Sequence, residues 1–375
     1  MIYMDNAATS WPKPEETKRE IEKVMEKFAA NPGRGAYPLA KGAAKYLKTA
    51  RKEIADFLGI DHSEHLIFTS GNTESANIVL KSFLKPGDHL IYTSSEHNAV
   101  RRPIYDLSKK GVAATMVDVC AEEEQFLERI KKAFCGNTKL LVINAGSNVT
   151  GHLNPLTRAA EIAKKRNIRV YADMAQTAGI INISPRETNV DFMGYAGHKG
   201  LNGFGGIGAL YVRDPSLLNP LILGGTGKLS YLKNQAGYLP EGFEAGTQNL
   251  IGIGGMLGGI RYIKKQGRNR ICEHEAELTS YFLEELKKMD HIKVYRFRKG
   301  SELPVVSLNV DGMFADRTAE ILAKKADIAV RSGLHCAPDM HRQIGTAKTG
   351  SVRFSFGFHN TFDQIDDALK ILYEL

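Results

Sequence analysis

Apolar positions in this chain follow two alternating patterns. Between residues 66 and 212, short continuous apolar runs are separated by stretches in which apolar residues recur every three or four positions. The runs 66–69, 89–93, 113–119, 140–144, 169–173, 191–195 and 208–212 read as strands. The stretches 73–84, 98–109, 122–134 and 156–165 read as helices. Strands alternating with helices predict an α/β unit with a mostly parallel sheet covered on both faces. Upstream, Ile21, Val24, Met25 and Phe28 mark a helix over 14–29 with acidic residues in its first turn. The break Asn31-Pro32-Gly33-Arg34-Gly35 ends it, and a second helix runs over 41–58 to Gly59. Residues 2–4 form a short strand or an extended arm. Residues 214–248 are irregular and glycine-rich, so loops are expected. Residues 250–260 are apolar but too short to span a membrane, and predict a closely packed helix.

Beyond a long helix over 268–289 the pattern changes. Strands over 292–297, 305–310, 328–331 and 352–356, with helices over 315–326 and 361–375, predict a smaller α+β unit. At 375 residues the chain exceeds one compact core. The expected division is a large domain over 14–255 and a small domain made of 1–13 and 256–375.

Composition narrows the function classes. A hydrophobic content of 43% and a charged content of 25% are ordinary for a globular protein. The net charge of +8 raises nucleic acid as a partner. The lysines, however, come as pairs on helical segments, such as Lys109-Lys110 and Lys287-Lys288, and no run reaches the length of a basic tail. The reading is therefore no nucleic acid and no membrane. Cys120, Cys135, Cys272 and Cys336 form no CxxC pair and no zinc spacing, so no metal is expected and a reducing compartment fits. With no leader-like N-terminus, the expected location is cytoplasmic.

Candidate chemistry gathers where the strands end. Ser70, Ser94, Asn144 and Asp173 fall at carboxyl ends of predicted strands, where open parallel sheets bind ligands. Lys199 follows the strand over 191–195 and opens a glycine-crowded stretch that reaches Gly208. A lysine with a strand-end aspartate meets the needs of pyridoxal phosphate chemistry: a Schiff-base amine and a carboxylate for the pyridine nitrogen. Taken alone, a lysine in such a turn is equally a solvated loop residue. Ser70-Gly71-Asn72-Thr73 joins a strand to a helix whose N-terminus suits a phosphate, or is an ordinary turn. His97 offers a ring for stacking, or a helix cap. Asn148, in Gly146-Ser147-Asn148-Val149-Thr150-Gly151, offers an amide to a phenolate oxygen.

Together with Asp5-Asn6-Ala7-Ala8-Thr9, Asp173-Met174-Ala175-Gln176, Gly197-His198-Lys199, Phe243-Glu244-Ala245-Gly246-Thr247, Arg331-Ser332-Gly333-Leu334-His335-Cys336-Ala337 and Ser351-Val352-Arg353, these segments stand in one order along the chain. In that order the chain resembles the cysteine desulfurases of the aminotransferase class V family, in their compact cysteine-loop, selenocysteine lyase-like subtype. The resemblance implies a pyridoxal phosphate-dependent transferase of fold type I. It also implies removal of sulfur from L-cysteine to give L-alanine and a persulfide on Cys336, for transfer to an acceptor protein in iron–sulfur cluster assembly or other sulfur metabolism.

By the same resemblance Lys199 would carry the cofactor, Asp173 would pair with its ring nitrogen, and His97 would stack on the ring and serve catalysis. Gln176 and Asn148 would contact its phenolate side. Asn72, Thr73 and His198 would hold the phosphate, joined by Thr247 from the other subunit of a homodimer. Arg353 would bind the substrate carboxylate in a fork, with Asn6, Ala8, Asn148 and Arg331 around the substrate. Cys336 would be the nucleophile, as a thiolate favoured by Arg331 or His335 nearby. Cys120, Cys135 and Cys272 match nothing in the family pattern and read as structural. Two positions depart from the subtype: Ala196 stands where a serine often meets the phosphate, and Leu334 where histidine is common. Selenocysteine lyases, epimerases and aminotransferases share the scaffold and remain alternatives, as does a non-catalytic binding protein.

Overall fold

The computed structural model describes residues 1–33, 35–227, 231–235, 237–297 and 302–375. Arg34 of the expected helix break lies outside them, as do residues 228–230 and 236 of the expected loop region. Seven strands form the main sheet, in the order Leu66–Thr69, Gly208–Val212, Phe192–Ala196, Arg169–Asp173, Thr138–Asn144, His89–Thr93 and Ala113–Val117. Gly208–Val212 runs antiparallel to both its neighbours, and every other adjacent pair is parallel. This is the α/β architecture the alternating pattern predicts. Because side chains alternate along a strand, the runs feed two cores. Ile91, Leu141, Ile143, Val170 and Ala172 pack on one face. Leu90, Leu140, Val142, Tyr171 and Phe192 pack on the other.

The apolar stretch after residue 249 is the helix Leu250–Gln266. Its Ile253, Met256, Leu257 and Ile260 join the same core as Val24 and Ile54. A Cβ at Gly258 would meet the backbone of Glu16 and Thr17, so the glycines let the helix Glu15–Lys27 lie close. The helix therefore runs unbroken through the expected boundary at 255/256, and the chain shows no break there.

A second sheet, fully antiparallel, has the order Arg331–Gly333, Ser351–Ser355, Val305–Val310, Ile292–Tyr295. Its core holds Leu278, Phe282, Leu308 and Phe354, and Met4 of the N-terminal arm is buried among them. The arm strand Ile2–Tyr3 pairs in parallel with Ile328–Ala329, and Asp5 bridges Ser355. The single strand expected over 328–331 is thus two. Ile328–Ala329 serves the arm and Arg331–Gly333 serves the sheet, a change of partner that a run of apolar residues does not reveal. The short helices Pro185–Thr188 and Pro338–Gln343 escape a periodicity argument because neither is two turns long.

One buried ion pair ties the loop that carries Thr247 to the sheet. Arg51 Nη1 and Nη2 donate to Glu244 at 2.6 and 2.7 Å, and Glu244 Oε1 also accepts the Phe68 N–H at 2.6 Å. Removing one partner of a buried pair strands the other charge, at about 3–5 kcal/mol. Glu244→Ala should lower the unfolding free energy by that order in a urea titration, whereas a loss under ~1 kcal/mol would mean the pair adds little. Among the described residues no helix is long and apolar enough to cross a membrane.

Candidate active site

At the carboxyl rim of the main sheet, between the two sheets, lies a cavity of about 330 Å³. Asp173, Lys199, Asn148 and Gln176 line it. His97, His198, Asn72 and Thr73 line it from the neighbouring strand ends. Ala8 comes from the arm, and Arg331, Arg353 and Cys336 come from the second sheet and the loop beside it. Residues separated by more than 340 positions meet here, because the arm and the C-terminal sheet close over the strand ends.

Asn6 lines a neighbouring cavity that shares Ala7, Gln176 and Lys199 with this one, and Thr247, expected from the other subunit, lies outside the cavity of its own chain. The Asn6 amide donates to the Ser355 carbonyl at 3.1 Å and its Oδ1 accepts the Trp11 N–H at 3.2 Å, so it ties the arm to the second sheet. Thr247 lines an adjacent hollow that shares Ser70 and Gly206 with this cavity.

Asp173 ends its strand with Oδ1 accepting the Ala175 N–H at 2.9 Å. Burial pushes its carboxyl up, opposed by that N–H, by Lys199 and by the Asn72 amide. The Asn72 side chain is thus turned to Asp173, and its Oδ1 accepts the Tyr171 hydroxyl at 3.1 Å. Gly194, on the next strand, makes room for this arrangement: a Cβ there would collide with Asn72 Oδ1 and the Tyr171 hydroxyl.

Asn72 begins the helix Asn72–Phe83, whose N-cap Gly71 supplies no side-chain cap. The free N–H groups of a first helical turn are an anion site. Thr73 adds its hydroxyl at the same rim. Around Gly71, Gly205 and Gly206, a Cβ would find open space, so the cavity is unobstructed there.

The turn bearing Lys199 is held from the arm. The His198 carbonyl accepts from Thr9 Oγ1 at 2.9 Å, from the Ser10 N–H at 3.1 Å and from Lys13 Nζ at 2.9 Å. Lys13 has no counterpart in the sequence reading, because it sits between two prolines outside any periodic stretch. Burial lowers its amine to about 8. Burial also lowers Lys199 to about 8 against the pull of Asp173, with Arg353 and Arg331 adding to the drop. A neutral amine is the nucleophile toward an aldehyde, so its fraction sets the rate of cofactor capture. When cofactor-free protein is mixed with pyridoxal phosphate, the colour should develop about tenfold faster per pH unit below 8 and level off above it. A half-point above pH 10 would show an ordinary exposed lysine instead.

His97 caps the helix Asn98–Ser108, its Nδ1 accepting the Ala99 N–H at 3.0 Å. The proton of the neutral ring therefore sits on Nε2, and the ring plane is fixed. Burial, with Lys199 and Arg331 nearby, lowers His97 to about 4, and burial with Lys199 and Lys13 lowers His198 to about 4.

Cys336 is brought in by its loop. The Asn98 N–H donates to the Cys336 carbonyl at 2.7 Å, and Asn148 Nδ2 donates to the His335 carbonyl at 2.7 Å. His335 and Cys336 both adopt the left-handed region, with φ of 47° and 58°. Two consecutive side-chain-bearing residues there mark a strained loop that its surroundings hold. Burial takes His335 down to about 2, and its Nε2 contacts the Ser351 carbonyl at 3.1 Å. His335 is therefore neutral, and of the two groups expected to favour a thiolate only Arg331 carries charge. The other cysteines lie outside the cavity, and burial raises Cys272 to about 11. Ala196 lines the cavity, whereas Leu334 is 39% exposed and does not.

Arg353 is 1% exposed. Its Nη2 donates to Asp5 Oδ1 at 2.6 Å and its Nη1 to the Asn148 carbonyl at 3.2 Å, while its buried Nε has no partner among the described residues. The Asp5 contact was not foreseen. Asp5 read only as part of a small polar segment, and nothing local links positions 5 and 353.

The arrangement fits pyridoxal phosphate on its own terms. Among the described residues, buried Asn148 Oδ1 and Arg353 Nε lack partners, a helix N-terminus lies open, and a carboxyl raised by burial lies near an amine lowered by burial. A family model described as aminotransferase class V matches residues 2–368. The chain is 31% identical to a protein named probable cysteine desulfurase from Methanothermobacter thermautotrophicus, over 100% of this chain and 94% of that one. It is 29% identical to a cysteine desulfurase from Haloferax volcanii, over 100% and 90%. Among solved structures, the apo cysteine desulfurase of Thermococcus onnurineus superposes with a TM-score of 0.91 at 31% identity, covering 100% of this chain and 94% of that one. The cysteine desulfurase CsdA of Escherichia coli gives 0.88 at 26% identity, covering 99% and 94%.

Proposed function

Because the chain belongs to the aminotransferase class V family of pyridoxal phosphate enzymes, we propose that it is a cysteine desulfurase, converting L-cysteine to L-alanine and leaving the sulfur as a persulfide on Cys336. One observation carries this reading: Cys336 lines the same cavity as Lys199, Asp173 and Arg353. An aminotransferase or epimerase has no use for a thiol there.

Bound pyridoxal phosphate supplies an electron sink that weakens bonds at the substrate Cα and Cβ. Lys199 Nζ would hold the cofactor and, once displaced by the substrate amine, take the Cα proton. Asp173 would keep the ring nitrogen protonated, and the opposing positive charge would offset the burial that raises its carboxyl. His97, neutral and fixed by its cap contact, would lie flat against the ring. The first-turn N–H groups of Asn72 and Thr73, with His198, would take the phosphate. Arg353 would bind the substrate carboxylate through Nε together with the second N–H of Nη2, the adjacent pair of a guanidinium fork. Cys336 Sγ would attack the substrate sulfur; the Sγ–S bond forms as the substrate Cβ–S bond breaks, and a returned proton completes alanine.

We extend the proposal to a homodimer, in which the partner's copy of Thr247 would reach the phosphate. Exposed Ile222, Leu223 and Tyr231, 53%, 73% and 80% accessible, favour a covered surface near that loop. An acceptor thiol would then take the outer sulfur from Cys336. The four free thiols suit a reducing cytoplasm.

The test is alanine release from L-cysteine and from L-selenocysteine, with and without a reductant. Release from L-cysteine with sulfide in the presence of reductant supports the reading. Release from L-selenocysteine alone points to a lyase. Keto-acid formation without sulfide would overturn the reading in favour of a transaminase.

A further inference from the structure

A second cavity lies against the first, and no step above uses it. Its volume is about 60 Å³, where roughly 10–15 Å³ admits one water. Lys199 and Gln176 wall both cavities. The second is lined as well by Trp11 of the arm, by Tyr262 and Phe358, and by Glu275 of the helix Arg268–Leu286. Trp11 is 44% exposed, and His359, also exposed, stands on the same wall, so the cavity reaches the surface.

Glu275 is the unusual member of this lining. It is 6% exposed. One carboxyl oxygen accepts the Phe358 N–H, while Oε2 has no partner among the described residues. Arg270 lies over the Phe358 ring at 5.7 Å, yet no ion pair reaches Glu275 among the described residues. A buried carboxylate without a counter-charge is costly, and burial accordingly pushes Glu275 up to about 8. It holds a proton until a cation takes the proton's place.

The surroundings select the kind of cation. Among the described residues no group of three metal-ligating side chains forms here or elsewhere. Instead, three rings cluster. Tyr262 stacks on His359 with centroids 6.0 Å apart, and Phe358 meets them edge-on at 6.5 and 6.3 Å. Ring faces attract a cation, most strongly where water is excluded. They accept hydrogen bonds poorly, so a primary ammonium would leave N–H groups unpaired against them, whereas N-methyl groups lose nothing there.

We propose that this cavity is a binding site for a small quaternary ammonium ion, held by the Glu275 carboxylate and by the rings of Trp11, Tyr262 and Phe358. The site goes beyond the reaction proposed above and does not depend on it. Such an ion has no N–H with which to join the cofactor's aldehyde, so it is not a substrate for Lys199.

Trp11 is the single tryptophan of the chain, so its emission reports on this cavity. The cofactor-loaded protein is titrated at about pH 8.5, where a carboxyl with a midpoint near 8 is largely ionised even in the empty site. The probes are choline and 3,3-dimethyl-1-butanol, which share one shape and differ in charge. Choline should change the emission saturably and bind at least about tenfold more tightly than the neutral alcohol. Glu275→Gln keeps the length of the side chain and an oxygen for the Phe358 N–H; it should erase that advantage while the cofactor's colour is retained. Vesicles of phosphatidylcholine present the same cation from a lipid and should leave the emission unmoved, since so small a cavity admits a free ion and not a headgroup. Equal binding of choline and the alcohol by the unaltered protein, or no saturable response to choline, would overturn the proposal without any variant. So would a coloured Glu275→Gln protein with unchanged affinity for choline. A response to the vesicles would overturn the assignment to a free ion. None of these outcomes bears on alanine release from L-cysteine, which tests the reaction separately.

Discussion

Cys336→Ala should yield a protein that still takes up pyridoxal phosphate with its normal colour, yet releases alanine from L-cysteine at least ~10²-fold more slowly. The cofactor's contacts do not involve the thiol. They would come from Lys199, Asp173, His97 and the helix start at Asn72, which stand at or beside the carboxyl rim of the main sheet. Cys336 enters from a loop whose own supports, the Asn98 N–H and the Asn148 amide, bind the backbone carbonyls of 335 and 336 rather than the sulfur. Truncating the side chain therefore removes the nucleophile without dismantling the wall. A thiol trap followed by mass measurement after one turnover should find a persulfide on the unaltered protein and none on the variant. A variant that turns L-cysteine over at full rate would remove Cys336 from the mechanism. L-selenocysteine is the informative control, since its weaker Cβ bond is expected to be less dependent on a protein nucleophile.

The second large effect is at Lys199. Lys199→Ala should lower turnover by about 10²–10⁴-fold or more, the usual worth of a positioned proton-transfer group. It should also abolish the visible band of lysine-bound cofactor. Some cofactor should remain bound, because the helix N-terminus and Asp173 do not depend on the amine. A small exogenous amine should restore part of the proton transfer, and restoration should grow with the neutral fraction of that amine. If the variant keeps both colour and activity, the lysine has been misassigned. Lys13 is the second amine near this turn, but its Nζ is spent on the His198 carbonyl and on Ser10 Oγ at 2.9 Å each. It therefore supports the turn rather than replacing the lysine.

These expectations draw on residues that were legible to very different degrees. Asp173 could be placed at a strand end, and Lys199 in the turn just beyond one, because β-strands of a buried parallel sheet are continuous apolar runs whose polar ends mark the rim. His97 and Thr73 fall in the loop or helix start that follows such a run. The helix Leu250–Gln266 was recognisable as packed, but not as a member of the main core: only the fit of Gly258 against Glu16 shows which neighbour it meets. Asn6 was placed in the site on its segment's resemblance, yet its amide is consumed in fastening the arm. The strand over 328–331 divided because pairing partners are chosen in space, not along the chain.

By itself the sequence determined the alternation of strands and helices, the rim on which chemistry collects, and a candidate amine and carboxyl there, while the thiol was named only by the resemblance. These are local properties, set by the period of the apolar pattern and by residue type. Tertiary structure alone decided that Arg353 meets Asp5, that burial lowers His335, and that Asn72 lies between Asp173 and the Tyr171 hydroxyl. Each depends on desolvation and on contacts between distant segments. Burial and the distance to an opposite charge set the energy of an ionisable group, and both exist only once the arm and the second sheet have closed over the first.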